Sequence, residues 1–156
     1  MGEQKIEVRT PLFDRLVDHD PTLRRELRPM RTLDRGRLKE SVRRELELLL
    51  NTRASLPAGR LSLRDRSVID YGVPDFGFFS PRSFDDRTRM ADLIRRAIVI
   101  YEPRLTDVRV FVDLAPGDEL AVSVRIEAKL RTGTMPEPVS FDTVLQSGEE
   151  VALHAD

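Results

Sequence analysis

Leu120, Val122, Val124, Ile126, Ala128 and Leu130 alternate with Ala121, Ser123, Arg125, Glu127, Lys129 and Arg131, with no break in the period of two. A helix would scatter those apolar residues around its whole circumference. A strand puts one set on a core and the other in water. The same signal recurs on both sides. Val108, Val110, Val112 and Leu114 alternate with Arg109, Phe111 and Asp113, and Val139, Phe141, Thr143 and Leu145 form a third set. Ala115-Pro116-Gly117-Asp118 reads as a turn, and residues 132–138, with one Gly and two Pro, as a loop. Three successive strands with short connections predict a small antiparallel meander.

A one-faced sheet needs a cover, and two helical stretches supply it. Over residues 34–51, Leu38, Val42, Leu46, Leu49 and Leu50 make an apolar stripe, while Arg35, Arg43, Arg44 and Glu47 lie elsewhere. Asn51 is placed to end this helix in the left-handed conformation that Asn tolerates. The second helix starts at Ser83, which has capping-box spacing to Asp86. Met90, Leu93, Ile94, Ala97, Ile98 and Tyr101 then fall on one face. Pro103 stops it, because it lacks an N–H and its ring pushes Glu102 out of the helical region. Gly72 and Pro74 argue against a strand between the helices, and Phe76, Phe78 and Phe79 are expected to fill the core. The predicted class is α+β: two long helices packed on a small antiparallel β-meander, without repeats.

Residues 1–30 read as a flexible N-terminal arm, polar and disordered over 1–9, with a short helix over 10–17 that shows Leu12, Phe13 and Leu16. Residues 31–156 read as the domain. No apolar run approaches the roughly 20 residues of a membrane span. The start, Met-Gly-Glu-Gln-Lys, lacks a signal peptide's apolar stretch. The absence of cysteine excludes disulfides and thiolate chemistry and fits a reducing compartment. A cytoplasmic protein without membrane insertion is expected. Its charge is lopsided: residues 21–66 hold 13 basic and 6 acidic side chains, while residues 113–156 hold 3 and 9. Unlike ends can orient docking in an assembly; a solvated surface is the plainer reading.

Four ordered segments carry a family resemblance: Thr10-Pro11-Leu12-Phe13-Asp14-Arg15-Leu16; the helix from Ser41-Val42-Arg43-Arg44-Glu45-Leu46 to Asn51-Thr52-Arg53; Ser67-Val68-Ile69-Asp70-Tyr71-Gly72-Val73-Pro74-Asp75; and the helix ending Tyr101-Glu102-Pro103-Arg104. Across roughly residues 10 to 146 the chain resembles the wedge-protein family of contractile-tail baseplates. That family includes the T4-type phage wedge protein, often labelled lysozyme-like, and TssE of the bacterial type VI secretion system. The resemblance implies a structural protein in a baseplate at the inner face of the cytoplasmic membrane. Its implied partners are the wedge subunits TssF and TssG, nearby TssK, and the contractile TssB/TssC sheath, whose assembly it helps to start. A regulatory anti-adaptor resembles the same fold and is the alternative, although the Glu-Pro-Arg corner and the longer N-terminal segment speak against it.

The lysozyme-like label makes carboxylates the first test of an enzymatic reading. Glycoside hydrolysis uses two of them across a sugar cleft. Glu102 is the best placed acid, but Arg104 is the wrong neighbour for a proton donor, and no second carboxylate stands out beyond nearby Asp107 and Asp113. His19 and His154 lie near opposite ends and supply neither a metal site nor a triad. Phosphate-cradling glycine motifs are absent, and the basic residues of the first helix are interleaved with Glu40, Glu45 and Glu47. The sequence therefore predicts no enzyme, cofactor, metal or nucleic-acid partner.

Tyr101, Glu102, Pro103 and Arg104 are the candidate partner-binding residues. Two readings stand for them: Glu102 and Arg104 tie off the helix end internally, or a rigid corner presents them to another subunit. Pro103 favours recognition, because preset geometry lowers the entropy lost on binding. The resemblance points the same way, since in this family the Glu-Pro-Arg corner is implicated in docking onto the other wedge subunits.

Overall fold

The computed structural model describes residues 8–9, 32–61, 67–132, 135–146 and 150–155. The expected short helix at 10–17, most of the arm and His19 lie outside them. Two-residue strands β1 (Val8–Arg9) and β2 (Thr32–Leu33) pair antiparallel, so the expected disorder of residues 1–9 does not hold at their end. Next come helices α1 (Arg35–Asn51) and α2 (Ala58–Leu61), a 3-10 turn (Val68–Asp70) and helix α3 (Phe84–Tyr101). Strands β3 (Leu105–Ala115), β4 (Asp118–Leu130), β5 (Glu137–Leu145) and β6 (His154–Ala155) complete the chain.

Strands β3 to β6 form one antiparallel sheet in sequence order. The architecture is α+β, as expected, with one strand more than the period of two reveals. In β4, Val122, Val124, Ile126, Ala128 and Leu130 are all buried, with Val112 opposite Val124 and Phe141 opposite Ile126. Against this face pack Leu38, Val42, Leu46 and Leu49 of α1 and Met90, Ile94, Ala97 and Ile98 of α3, in one continuous core. Among the described residues, no helix is long and apolar enough to cross a membrane.

Both helix starts follow from their caps. The Asp34 carboxylate accepts from the Arg37 N–H at 2.9 Å, and the Ser83 hydroxyl accepts from the Asp86 N–H at 3.2 Å. Asp86 turns its own carboxylate to the Ser80 N–H, so the capping box is not reciprocal. The end of α1 departs from expectation. Asn51 is its last helical residue, and Thr52 leaves in an extended conformation. The Asn51 amide instead hydrogen-bonds both backbone groups of Val151, at 2.7 and 2.9 Å, and so fixes the C-terminal segment to the helix.

Three further differences concern the phenylalanines, Pro138 and the charge distribution. Phe76 and Phe79 meet edge to face and pack on the core, whereas Phe78 is 95% exposed. Pro138, expected in a loop, lies in β5 opposite Lys129, away from the stretch that β6 covers, where among the described residues no further strand requires an N–H from it. The charge segregation is partly neutralised in place: Arg35 of the basic stretch pairs with Glu137 of the acidic one.

Gly72 locks the segment between the helices. The Val73 N–H donates to Thr52 O at 2.9 Å, and the Ala54 N–H donates to Val73 O at 2.8 Å. Gly72 takes φ +113°, and a Cβ there would stand 2.3 Å from the Thr52 carbonyl oxygen. Gly72→Ala should therefore cost about 2 kcal/mol or more, since strained backbone and a backbone clash add. Chemical denaturation checks this; an unchanged midpoint would show that the segment relaxes freely.

Candidate functional site: the corner between α3 and β3

Helix α3 stops at Tyr101, and the Glu102 N–H makes the last helical bond, to Ile98 O at 2.8 Å. Pro103 and Arg104 turn the chain, and the Leu105 N–H returns to Glu102 O at 3.1 Å before β3 begins. The turn is tied to the sheet by the Arg131 N–H, which donates to Arg104 O at 2.9 Å. The expected corner is therefore present and fixed on both sides.

Its charges do not face outward together. The Glu102 side chain is only 4% exposed and accepts two bonds from the Arg104 guanidinium, Nε to Oε1 at 2.7 Å and Nη2 to Oε2 at 2.5 Å. The Arg104 N–H adds a third at 3.2 Å. Arg104 Nη1 then donates to the hydroxyl of Ser41, a buried residue of α1, at 2.9 Å. The fork of one arginine thus joins the ends of α3 and β3 to the middle of α1, in the planar bidentate geometry that suits a guanidinium.

Tyr101 is half-buried, and its hydroxyl donates to Ser67 O at 2.8 Å. Its ring meets Tyr71 edge to face, with centroids 5.1 Å apart. Burial, and then the carboxylates of Glu45 and Glu102, push the Tyr71 phenol above its ordinary pKa. Of the four expected residues, Pro103 alone is exposed.

Sequence reasoning missed three residues here. Val99 and Ile100, in the last turn of α3, are 51% and 44% exposed. Their signal is the unbroken apolar run Ala97-Ile98-Val99-Ile100-Tyr101, wider than one buried stripe needs. Ser41 is the third. It falls within the apolar stripe of α1, and a hydroxyl in such a stripe calls for a buried polar partner.

A hollow of about 410 Å³ lies elsewhere, lined by Leu50, Val73, Phe76, Phe79, Met90 and Leu145 among others. Glu102, Asp107 and Asp113 are not in its walls. Asp75, on its rim, accepts from the Gly77 N–H and pairs with Arg53, and these contacts hold its carboxyl below the usual range. Among the described residues, no group of three His, Cys, Asp or Glu side chains is placed to hold a metal ion.

The sequence pattern of baseplate wedge protein gp25 matches residues 36–134, well over half of the chain and inclusive of the corner. The chain belongs to this baseplate wedge family. The family is a structural component of baseplates, and TssE is its type VI secretion member. Among curated proteins none matches. Among solved structures, a protein labelled a tail lysozyme from Geobacter sulfurreducens is 16% identical, with TM-score 0.46, covering 71% of this chain and 94% of its own. A chain of the baseplate complex from the type VI secretion system is 19% identical, with TM-score 0.47, covering 72% and 99%. At that distance neither likeness bears on chemistry or partners.

Proposed function

We propose that this wedge-family chain is a TssE-type, non-enzymatic subunit of a type VI secretion baseplate. It docks onto TssF and TssG near TssK and helps to start the TssB/TssC sheath, in the cytoplasm at the inner face of the membrane. The observation that carries this reading is the exposed apolar set Val99, Ile100 and Pro103 on a corner braced by the buried Glu102–Arg104–Ser41 bridge. Apolar groups on a rigid element lose little entropy on docking and can displace poorly held water. In this reading Tyr101, Glu102 and Arg104 serve the interface by fixing its shape, and Pro103 meets the partner. Residues 1–30 form an arm outside the docking domain.

Ile100→Lys tests the reading with little disturbance to folding. Lysine is a good helix former, and its charge suits the C-terminal end of a helix. The melting temperature should stay near wild type. Affinity for co-expressed TssF and TssG should fall by about 30-fold, the loss of roughly 2 kcal/mol expected for a central apolar contact. Undiminished co-purification would remove α3's last turn from the interface. Failure of the wild-type chain to bind TssF or TssG would overturn the whole reading.

A further inference from the structure

Residues 150–155 run as an extended segment between β5 and α1, and the two sides hold it differently. On the β5 side, Phe141 and Asp142 pair with Ala155 and His154, and the Thr143 hydroxyl donates to Ala152 O at 2.7 Å. On the α1 side the bonds come from side chains. The Asn51 amide meets both backbone groups of Val151. Glu47 Oε1 accepts from the Leu153 N–H at 2.8 Å, and Arg43 Nη1, which pairs with Glu47, donates to Leu153 O at 3.4 Å. One donor and one acceptor thus face each of Val151 and Leu153.

The two repeats match in length. Arg43, Glu47 and Asn51 stand four residues apart along one ridge of α1. Four residues of an α-helix rise about 6 Å, and two residues of a strand about 6.7 Å. Side chains of a helix therefore offer this segment the alternating donors and acceptors that the edge of a strand would offer. Recognition of this kind reads backbone, and it selects sequence only through the positions that face the core. Those positions are Val151 and Leu153, both buried, while Ala152 and His154 are exposed.

The segment is also the lightest part of the core. Two buried side chains and two ladder pairs must offset the ordering of six residues. Helices α1 and α3 and the central strand supply most of the core without it. Such a segment opens locally, ahead of the whole fold. We propose that α1 and β5 form a binding groove for an extended segment of another protein with apolar residues two apart. The chain's own residues 150–155 fill the groove until such a segment replaces them.

A capped fluorescent peptide of residues 150–155, titrated into the intact chain and read by anisotropy, provides the test. Leu153→Asp should free the chain's own segment, because its carboxylate would be buried without a partner, and a cooperative melt should remain. The peptide should bind this variant at least about tenfold more tightly than wild type, where the tethered segment competes at an effective concentration in the millimolar range. Adding Asn51→Ala to the same variant removes two bonds and should weaken the peptide about fivefold or more. A peptide carrying Leu153→Asp should not bind. Loss of the cooperative melt in Leu153→Asp would make the segment an inseparable part of the core and overturn the proposal. Equal affinity for variant and wild type, or indifference to Asn51→Ala, overturns it as well. Wild-type dimers that the peptide dissolves would assign the groove to the tail of a second copy, against the partner proposed. None of these outcomes depends on whether TssF or TssG binds the corner.

Discussion

Val124→Asp should abolish the folded state. Val124 is 1% exposed, at the centre of β4, between Val112 on β3 and Thr143 on β5. Removing its side chain forfeits most of the roughly 1.5–3 kcal/mol gained by burying an aliphatic group. The carboxylate adds a desolvation cost of several kcal/mol, because the face around it is lined by Ile126, Phe141 and the apolar stripes of both helices. The total approaches the roughly 5 to 15 kcal/mol that holds a typical domain together. Circular dichroism should show the loss of a cooperative melt at room temperature. A two-state melt within about 1 kcal/mol of wild type would place Val124 outside the core.

Arg104→Ala should destabilise the protein more than Glu102→Ala. Both variants break the same ion pair, but they strand different partners. Without Arg104, the Glu102 carboxylate is left 4% exposed and deprived of its two guanidinium bonds. Losing one partner of a buried pair costs about 3–5 kcal/mol. Without Glu102, Arg104 keeps Ser41 and, at 21% exposure, still reaches water, so about 1–3 kcal/mol is expected. Denaturant titration of the two variants separates these values. Equal, small losses would indicate a solvated surface bridge of the kind that contributes about 0–1 kcal/mol.

That asymmetry marks the limit of what the sequence carries. The sheet is legible because β4 keeps its period of two from Val122 to Leu130, although Leu120 is exposed and Ala121 buried where the alternation predicts the reverse, and because the Pro116-Gly117 turn sets its neighbour. Gly117 takes φ +82°, as the third position of such a turn requires. The helix limits are legible from Asp34, Ser83 and Pro103, each acting within a few residues. The corner residues are legible as a unit, but their burial is not. Arg104, which holds Glu102, is itself bonded to Ser41 of α1, some sixty residues earlier in the chain, and no local pattern announces that partner. Long-range choices of the same kind decide that Asn51 holds Val151 rather than capping its own helix, and that Phe78 turns outward while Phe76 and Phe79 turn in. The fourth strand pairs only at Phe141 and Asp142, too short to show a period.

Residues 36–134 carry the family pattern, and the surface at the end of α3 carries the proposed docking role. The most direct test of that role places a photoreactive amino acid at position 100 and, separately, at the exposed position 78. Each variant is then irradiated in cells that also make TssF, TssG and the sheath proteins. The account predicts crosslinks from position 100 to TssF or TssG. Crosslinks to these subunits from position 78 alone, or from neither position while the chain is folded, would contradict it.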